Sequence, residues 1–247
     1  SRDGRGARLT PAGEHLRARA RAICHSVEDM VGEISSVADG NAGHVRIGTV
    51  PSLADSILAD ACRTLLEKSQ RLSLSVTMEM TDQLRRLLRA AEVDLLVAPL
   101  TANDKQEFLH RTIARDDLVV AASASHPLAG RRPTMKSLAS YGWLLPPDSS
   151  YSRQWLNQQF TRRGLPSPVA RIEANSVRML RSTVAKTNLL TFVARSELKA
   201  HTEPRLREIA NSETTLQREI AVIHLRKGYM PPAAQGVIEE LVTASGT

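Results

Sequence analysis

Hydroxyl and amide side chains recur in this sequence where an extended segment gives way to a helical one. Ser52 closes TVPS, Thr81 opens TDQLRRLL, Ser149 and Ser150 lead into Tyr151 and RQWLNQQF, and Asn175 with Ser176 leads into VRMLRS. Such positions have two uses. The side-chain oxygen can cap its own helix by accepting from a first-turn N–H. The same N–H groups and hydroxyls can instead hold a small anion, because a helix start concentrates donors and partial positive charge. The ligand for that second use is a small anion, a carboxylate first of all, with Arg153 and Arg178 as candidate cationic partners.

Other chemistry finds little support. His15, His25, His44, His110, His126, His201 and His224 never form an H-x-x-x-H or H-E-x-x-H group, so no metal site is expected. His126, directly before Pro127, reads as a turn residue. There is no G-x-S-x-G, P-loop or G-x-G-x-x-G, which leaves hydrolysis, phosphoryl transfer and hydride transfer without a constellation; neither an enzyme nor a cofactor is expected. Cys24 and Cys62 are too few for a disulfide framework and fit a reducing compartment. No apolar run is long enough to span a bilayer and the arginine-rich start lacks a signal-peptide core, so a cytoplasmic protein without membrane contact is expected.

The elements that must position these residues alternate. HVRIGTV, RLSLSVTMEM and VDLLVAPL read as strands, separated by the helices SLADSILADACRTLLEKS, starting near Leu53, and TDQLRRLLRAAE. Two strands, HRTIA and LVVAAS, follow. A second block then repeats the theme with GWLLPP, PVARIEA and LLTFVA as strands and two helices between them, and LQREIAVIHLR with a closing helix after Pro231 and Pro232 ends the chain. The expected class is α/β, with two lobes built on parallel sheets.

Ahead of them lies a different element. Thr10 followed by Pro11 is a cap and first-turn pair. From there Leu16, Ala20, Ile23, Val27, Met30, Ile34 and Val37 recur at alternating spacings of four and three, until GNAG at 40–43. That is a heptad seam, which calls for a partner helix and hence a homodimer, unless the stripe packs on its own globular body. The formal charge is +7, with Arg2, Arg5, Arg8, Arg17, Arg19 and Arg21 crowded at the front, as suits phosphate contact or a solvated helix face.

Taken in order, RGARLTPAGEHLRARARAI, GHVRIGTVPSLADSILADACRTL, TDQLRRLLRAAEVDLLVAPL and LVVAASASHPLAG resemble successive blocks of a LysR-type transcriptional regulator. The resemblance covers essentially the whole chain. Its sharpest pieces are R-G-x-x-L-T-P-A-G-E and HPLAG at His126 to Gly130. It implies that a DNA-recognition helix precedes Ser1 in the intact protein. Residues 1–9 would be the remnant of a wing, 10–43 a dimerising linker helix and hinge, 44–117 with 220–247 one Rossmann-like effector-binding lobe, and 118–219 the other, as in periplasmic binding proteins of type II. Arg5 and Arg8 would sit near the DNA backbone in the intact protein, which would bind promoter DNA as a homodimer or homotetramer. The resemblance points to Thr49, Val50, Pro51, Ser52 and Leu53, and to Thr101, as further lining of an effector cleft. In VAKTNLLTFVA, Thr187, Leu189 and Ala194 replace the commoner glycines and proline, which is similar to a branch linked to sugar and aromatic-acid catabolism. The competing reading is a solute-binding protein for transport, which shares the fold but has no use for a heptad helix.

Overall fold

The computed structural model describes residues 43–200, 205–227 and 230–244 and, ahead of them, Arg2, Asp3, Gly6, Ala7, Thr10, Ala12, Gly13, Leu16, Arg17, Ala20, Ile23, Cys24 and Val27. The chain divides into two compact units, Ser1–Ala114 with Ile220–Thr247, and Arg115–Glu219.

At the front, β1 (Arg2–Asp3) and β2 (Gly6–Ala7) pair antiparallel. Thr10 then caps a helix: its Oγ1 accepts from the Gly13 amide at 3.1 Å, the bond a threonine before Pro11 is placed to make. Ala12, Gly13, Leu16, Arg17, Ala20, Ile23, Cys24 and Val27 are all helical. Leu16, Ile23 and Val27 of the seam are 71%, 65% and 52% exposed, so none of the three is buried among the described residues. Met30, Ile34, Val37, Arg5 and Arg8 lie outside the described residues.

In the first unit, β3 (Gly43–Thr49) runs parallel to both β4 (Leu72–Met78) and β5 (Leu95–Pro99) and lies between them. From Ile220, β11 (Leu216–Leu225) pairs antiparallel with β5. The chain leaves β3 through α1 (Pro51–Leu53), a π-turn over Ala54–Leu58 and α2 (Ala59–Lys68). It leaves β4 through α3 (Thr81–Arg89), and α9 (Pro232–Ala244) packs against α2 and β3. The helix after β3 therefore starts at Pro51, two residues earlier than its apolar pattern predicts, because proline needs no N–H partner there. Gly48 lets α3 approach: a Cβ on it would lie 2.6 Å from Leu96 Cδ2 and 3.0 Å from Leu84 Cδ2. Val45, Ile47, Leu84, Leu88, Leu95, Val97, Val222 and Val237 fill the core.

In the second unit, β7 (Gly142–Leu145) lies between and parallel to β8 (Val169–Glu173) and β9 (Leu190–Ala194). β9 pairs antiparallel with β6 (Phe108–Ser123), as does β10 (Leu206–Glu208). The helices are α5 (Met135–Ala139), α6 (Tyr151–Thr161), α7 (Val177–Val184) and α8 (Arg195–Ala200). Trp143 and Phe160 meet edge-on at 6.2 Å in one cluster, while Leu144, Leu180 and Val184 form another. β6 corrects the sequence reading, which divides it into HRTIA and LVVAAS around Asp116 and Asp117. The strand runs through because both acids are paired, Asp116 with Arg218 at 3.0 Å and Asp117 with Arg195. α4 (Asp104–Glu107), α5, α8 and β10 are absent from the sequence reading; all are too short to show a period.

Candidate functional site

β3, β4 and β5 are parallel, so Thr49, Met78 and Pro99 end at one edge of the first unit. β3 is the point from which strand order runs both ways, and α/β sheets bind ligands at such a switch point. Around this edge stand Val50, Pro51, Ser52, Thr81 and Thr101.

The two helices that start there have residues at the cap position that cannot cap. Val50 precedes Pro51 and Met80 precedes Thr81, and neither supplies a side-chain hydrogen bond. At the first start Pro51 has no N–H and the Leu53 amide donates to the Val50 carbonyl at 3.0 Å, which leaves the Ser52 amide; at the second, the amides of Thr81, Asp82 and Gln83 precede the first i→i−4 bond of the helix, from Leu84 to Met80. Ser52 and Thr81 are therefore first-turn residues, two steps and one step inside the cap position respectively, with half-buried side chains. Leu53, a predicted lining residue, is 1% exposed and belongs to the core. Val50 is buried as well. The Thr49 hydroxyl donates to the Val97 carbonyl at 2.9 Å and the Thr49 carbonyl accepts from the Glu79 amide at 3.1 Å, so Thr49 ties the three strand ends together.

A pair that sequence reasoning missed holds this edge in place. Arg85 and Asp104 are buried, with side chains 6% and 3% exposed. Arg85 Nε donates to Asp104 Oδ1 at 3.0 Å, and Arg85 Nη2 donates to the Pro99 carbonyl at 2.7 Å. Asp104 Oδ2 accepts from the Thr101 amide at 2.8 Å, and the Thr81 carbonyl accepts from Arg85 Nη1 at 3.4 Å. One ion pair thus joins the start of α3 to the loop after β5. Burial works to raise the Asp104 pKa, but the Arg85 guanidinium and the Thr101 donors outweigh it and hold the carboxyl below its ordinary range. The signal was present: Thr81, Leu84, Arg85 and Leu88 share the i, i+3, i+4, i+7 face, so an arginine lies where the helix is buried. Its partner, 19 positions later in TANDKQE, has no local signature.

The second unit treats its helix starts differently. Ser150 Oγ accepts from the Arg153 amide at 3.3 Å, Ser176 Oγ from the Met179 amide at 3.3 Å, and Thr134 Oγ1 from the Ser137 amide at 3.2 Å. The hydroxyls of Ser150 and Ser176 are caps, engaged by their own helices. Ser149, Tyr151, Asn175 and Arg178 are exposed. Arg153 is buried against the Pro168 carbonyl, 3.2 Å away, and Asp148, 3.3 Å away. His126 is buried in a turn: its Nδ1 accepts from the Leu128 amide at 3.1 Å, and burial lowers its pKa against a backbone contact from Asn188. Among the described residues, no cluster of His, Cys, Asp or Glu has the arrangement of a metal site, and no helix is long and apolar enough to cross a membrane.

Two α/β units, each with a central strand from which parallel order runs both ways, and two strands passing between them, define a bilobal binding domain of the periplasmic-binding-protein type. Residues 38–246 match the family described as the LysR substrate binding domain, and the chain belongs to that family. A similar relative is the HTH-type transcriptional regulator GbpR of Azospirillum brasilense, 28% identical over 198 residues, covering 79% of this chain and 58% of that one. The chain thus spans well under two thirds of that relative's length. Among solved structures, the regulatory domain of CcmR from Synechocystis PCC6803 in complex with 2-PG has a TM-score of 0.74 at 17% identity, covering 82% of this chain and 97% of that one. The effector binding domain of QuiR in complex with shikimate has a TM-score of 0.70 at 15% identity, covering 83% and 98%.

Proposed function

We propose that this chain is the sensing and dimerising part of a LysR-type transcriptional regulator, and that it binds a small anionic effector at the carboxyl edge of β3, β4 and β5. The observation that carries this reading is the pair of uncapped helix starts at Pro51 and Thr81, brought to one edge by parallel strands and braced by Arg85 and Asp104. Pro51 fixes the turn, the first-turn N–H groups and the hydroxyls of Ser52 and Thr81 hold a carboxylate, and Thr101 closes the loop beside them. Solved relatives support the ligand class, since QuiR binds shikimate, a hydroxylated carboxylate.

The exposed stripe of Leu16, Ile23 and Val27 favours a regulator over a solute-binding protein, because burying it takes a second copy of the helix. Effector binding is read out through that helix to DNA-binding parts, which place the whole protein on promoter DNA. A thermal-melt screen against sugar acids, aromatic acids and other small carboxylates tests the proposal. A ligand at about 100 times its Kd stabilises by about 2.7 kcal/mol. A hit whose stabilisation falls in Ser52→Ala supports this edge; a hit indifferent to Ser52→Ala and Thr81→Ala removes it.

A further inference from the structure

A hollow of about 390 Å³ in the second unit is lined by Arg115, Asp117, Gln217, Arg218 and Glu219. None of these residues belongs to the helix starts described above. They lie on β6 and β11, and Arg115 and Glu219 are the two residues at which the second unit begins and ends.

Arg218 is the unusual member. Its side chain is only 7% exposed, its Nη2 donates to Asp116 Oδ2 at 3.0 Å, and its Nε is buried with no hydrogen-bond partner among the described residues. Asp116 already accepts from Ser196 Oγ at 3.1 Å, and Asp117 from Arg195, whose Nε and Nη2 also hold Glu208 at 2.9 Å each. The acids nearest Arg218 are thus engaged, while a desolvated N–H of a cation stays unmet, which is costly until an acceptor arrives. Arg115 stands 84% exposed at the rim, 3.8 Å from Glu219.

The lining pairs two guanidinium groups with two carboxylates and one amide. A bare carboxylate would meet Arg115 and Arg218 but also face Asp117 and Glu219; a bare amine would meet the acids and face the arginines. A molecule carrying both charges on adjacent atoms satisfies both sets, and the like-charge contacts reject either half alone. We propose that this hollow is a second small-molecule site, which takes an α-amino acid as its zwitterion. The carboxylate accepts from Arg218 Nε and Arg115, and the ammonium donates to Asp117 and Glu219. Bound there, the ligand touches both strands that connect the two units. This site does not rest on the anion-binding edge of the first unit.

The test follows the arginine Nε–H cross-peaks of the full chain by NMR during titration with glycine, alanine, serine and glutamine at millimolar concentration. Acetate, propionate, methylamine and ethylamine serve as the half-molecules. Arg218→Lys identifies the Arg218 peak, and Arg115→Ala and Glu219→Gln, at the exposed rim, supply variants that spare the buried pair. The expected result is a saturable shift of the Arg218 peak with an amino acid and not with either half, weakened about tenfold in Arg115→Ala and unchanged in Ser52→Ala. Three results overturn the proposal: no shift with any amino acid, an equal shift with acetate or propionate, or a shift that survives both rim variants unaltered.

Discussion

The two units solve the same problem at their helix starts in opposite ways. In the second unit Thr134, Ser150 and Ser176 place hydroxyls at the cap position and spend them on their own helices. In the first unit Val50 and Met80 stand at that position and spend nothing, leaving the hydroxyl of Ser52 two residues and that of Thr81 one residue further on. The first unit recovers rigidity from elsewhere, through Arg85 and Asp104. A capped start has spent its hydroxyl on its own helix, whereas the uncapped starts leave theirs for the ligand proposed above, the second of them braced by the buried Arg85–Asp104 pair.

The largest effect expected from breaking this contrast is Arg85→Ala. It strands a buried Asp104 carboxylate and should cost about 3–5 kcal/mol of stability, read by denaturant unfolding. Ser52→Ala and Thr81→Ala should each weaken a carboxylate ligand by about 1.5–3 kcal/mol, the worth of a hydrogen bond to a charged group, with little change in the melting temperature of the free chain. Ser150→Ala and Ser176→Ala should behave the other way, losing about 1 kcal/mol of stability each with ligand affinity retained.

Smaller still, Ala91→Gly should stabilise the first unit by up to about 1 kcal/mol, because Ala91 ends α3 at φ 54, where glycine has no Cβ to strain. For the second unit the sign of the pH response follows from His126. Burial depresses its folded pKa, so the unfolded chain takes up the proton first, and stability present above the ordinary histidine range falls as pH drops through it. His126→Asn should flatten the acid side of a melting-temperature profile.

Periodicity carried most of the fold. β3 to β5 and the block from β7 to β9 stand where alternation and apolar runs put them, and Thr10 caps its helix as Thr-Pro foretells. Periodicity failed where charge interrupts a strand, at Asp116 and Asp117, since the arginines that neutralise them come from Arg195 and Arg218, far along the chain. The candidate site was half legible. TVPS and Thr81 announce helix starts, but hydroxyl identity alone cannot tell a cap from a free donor. That depends on an offset of one or two residues, Ser150 at the cap, Thr81 one residue and Ser52 two residues inside it, which only the backbone decides. Leu53 went to the core for the same reason, as the helix began earlier than its pattern suggested.

The most direct measurement is a backbone amide NMR titration of the chain with shikimate and a panel of small hydroxy acids and aromatic acids. The account predicts saturable shifts concentrated at the first-turn amides of Ser52, Thr81, Asp82 and Gln83, with those at Tyr151 to Arg153 and Val177 to Met179 nearly unmoved. Shifts centred on the capped starts of the second unit, or none in the first unit with any acid of the panel, would contradict it.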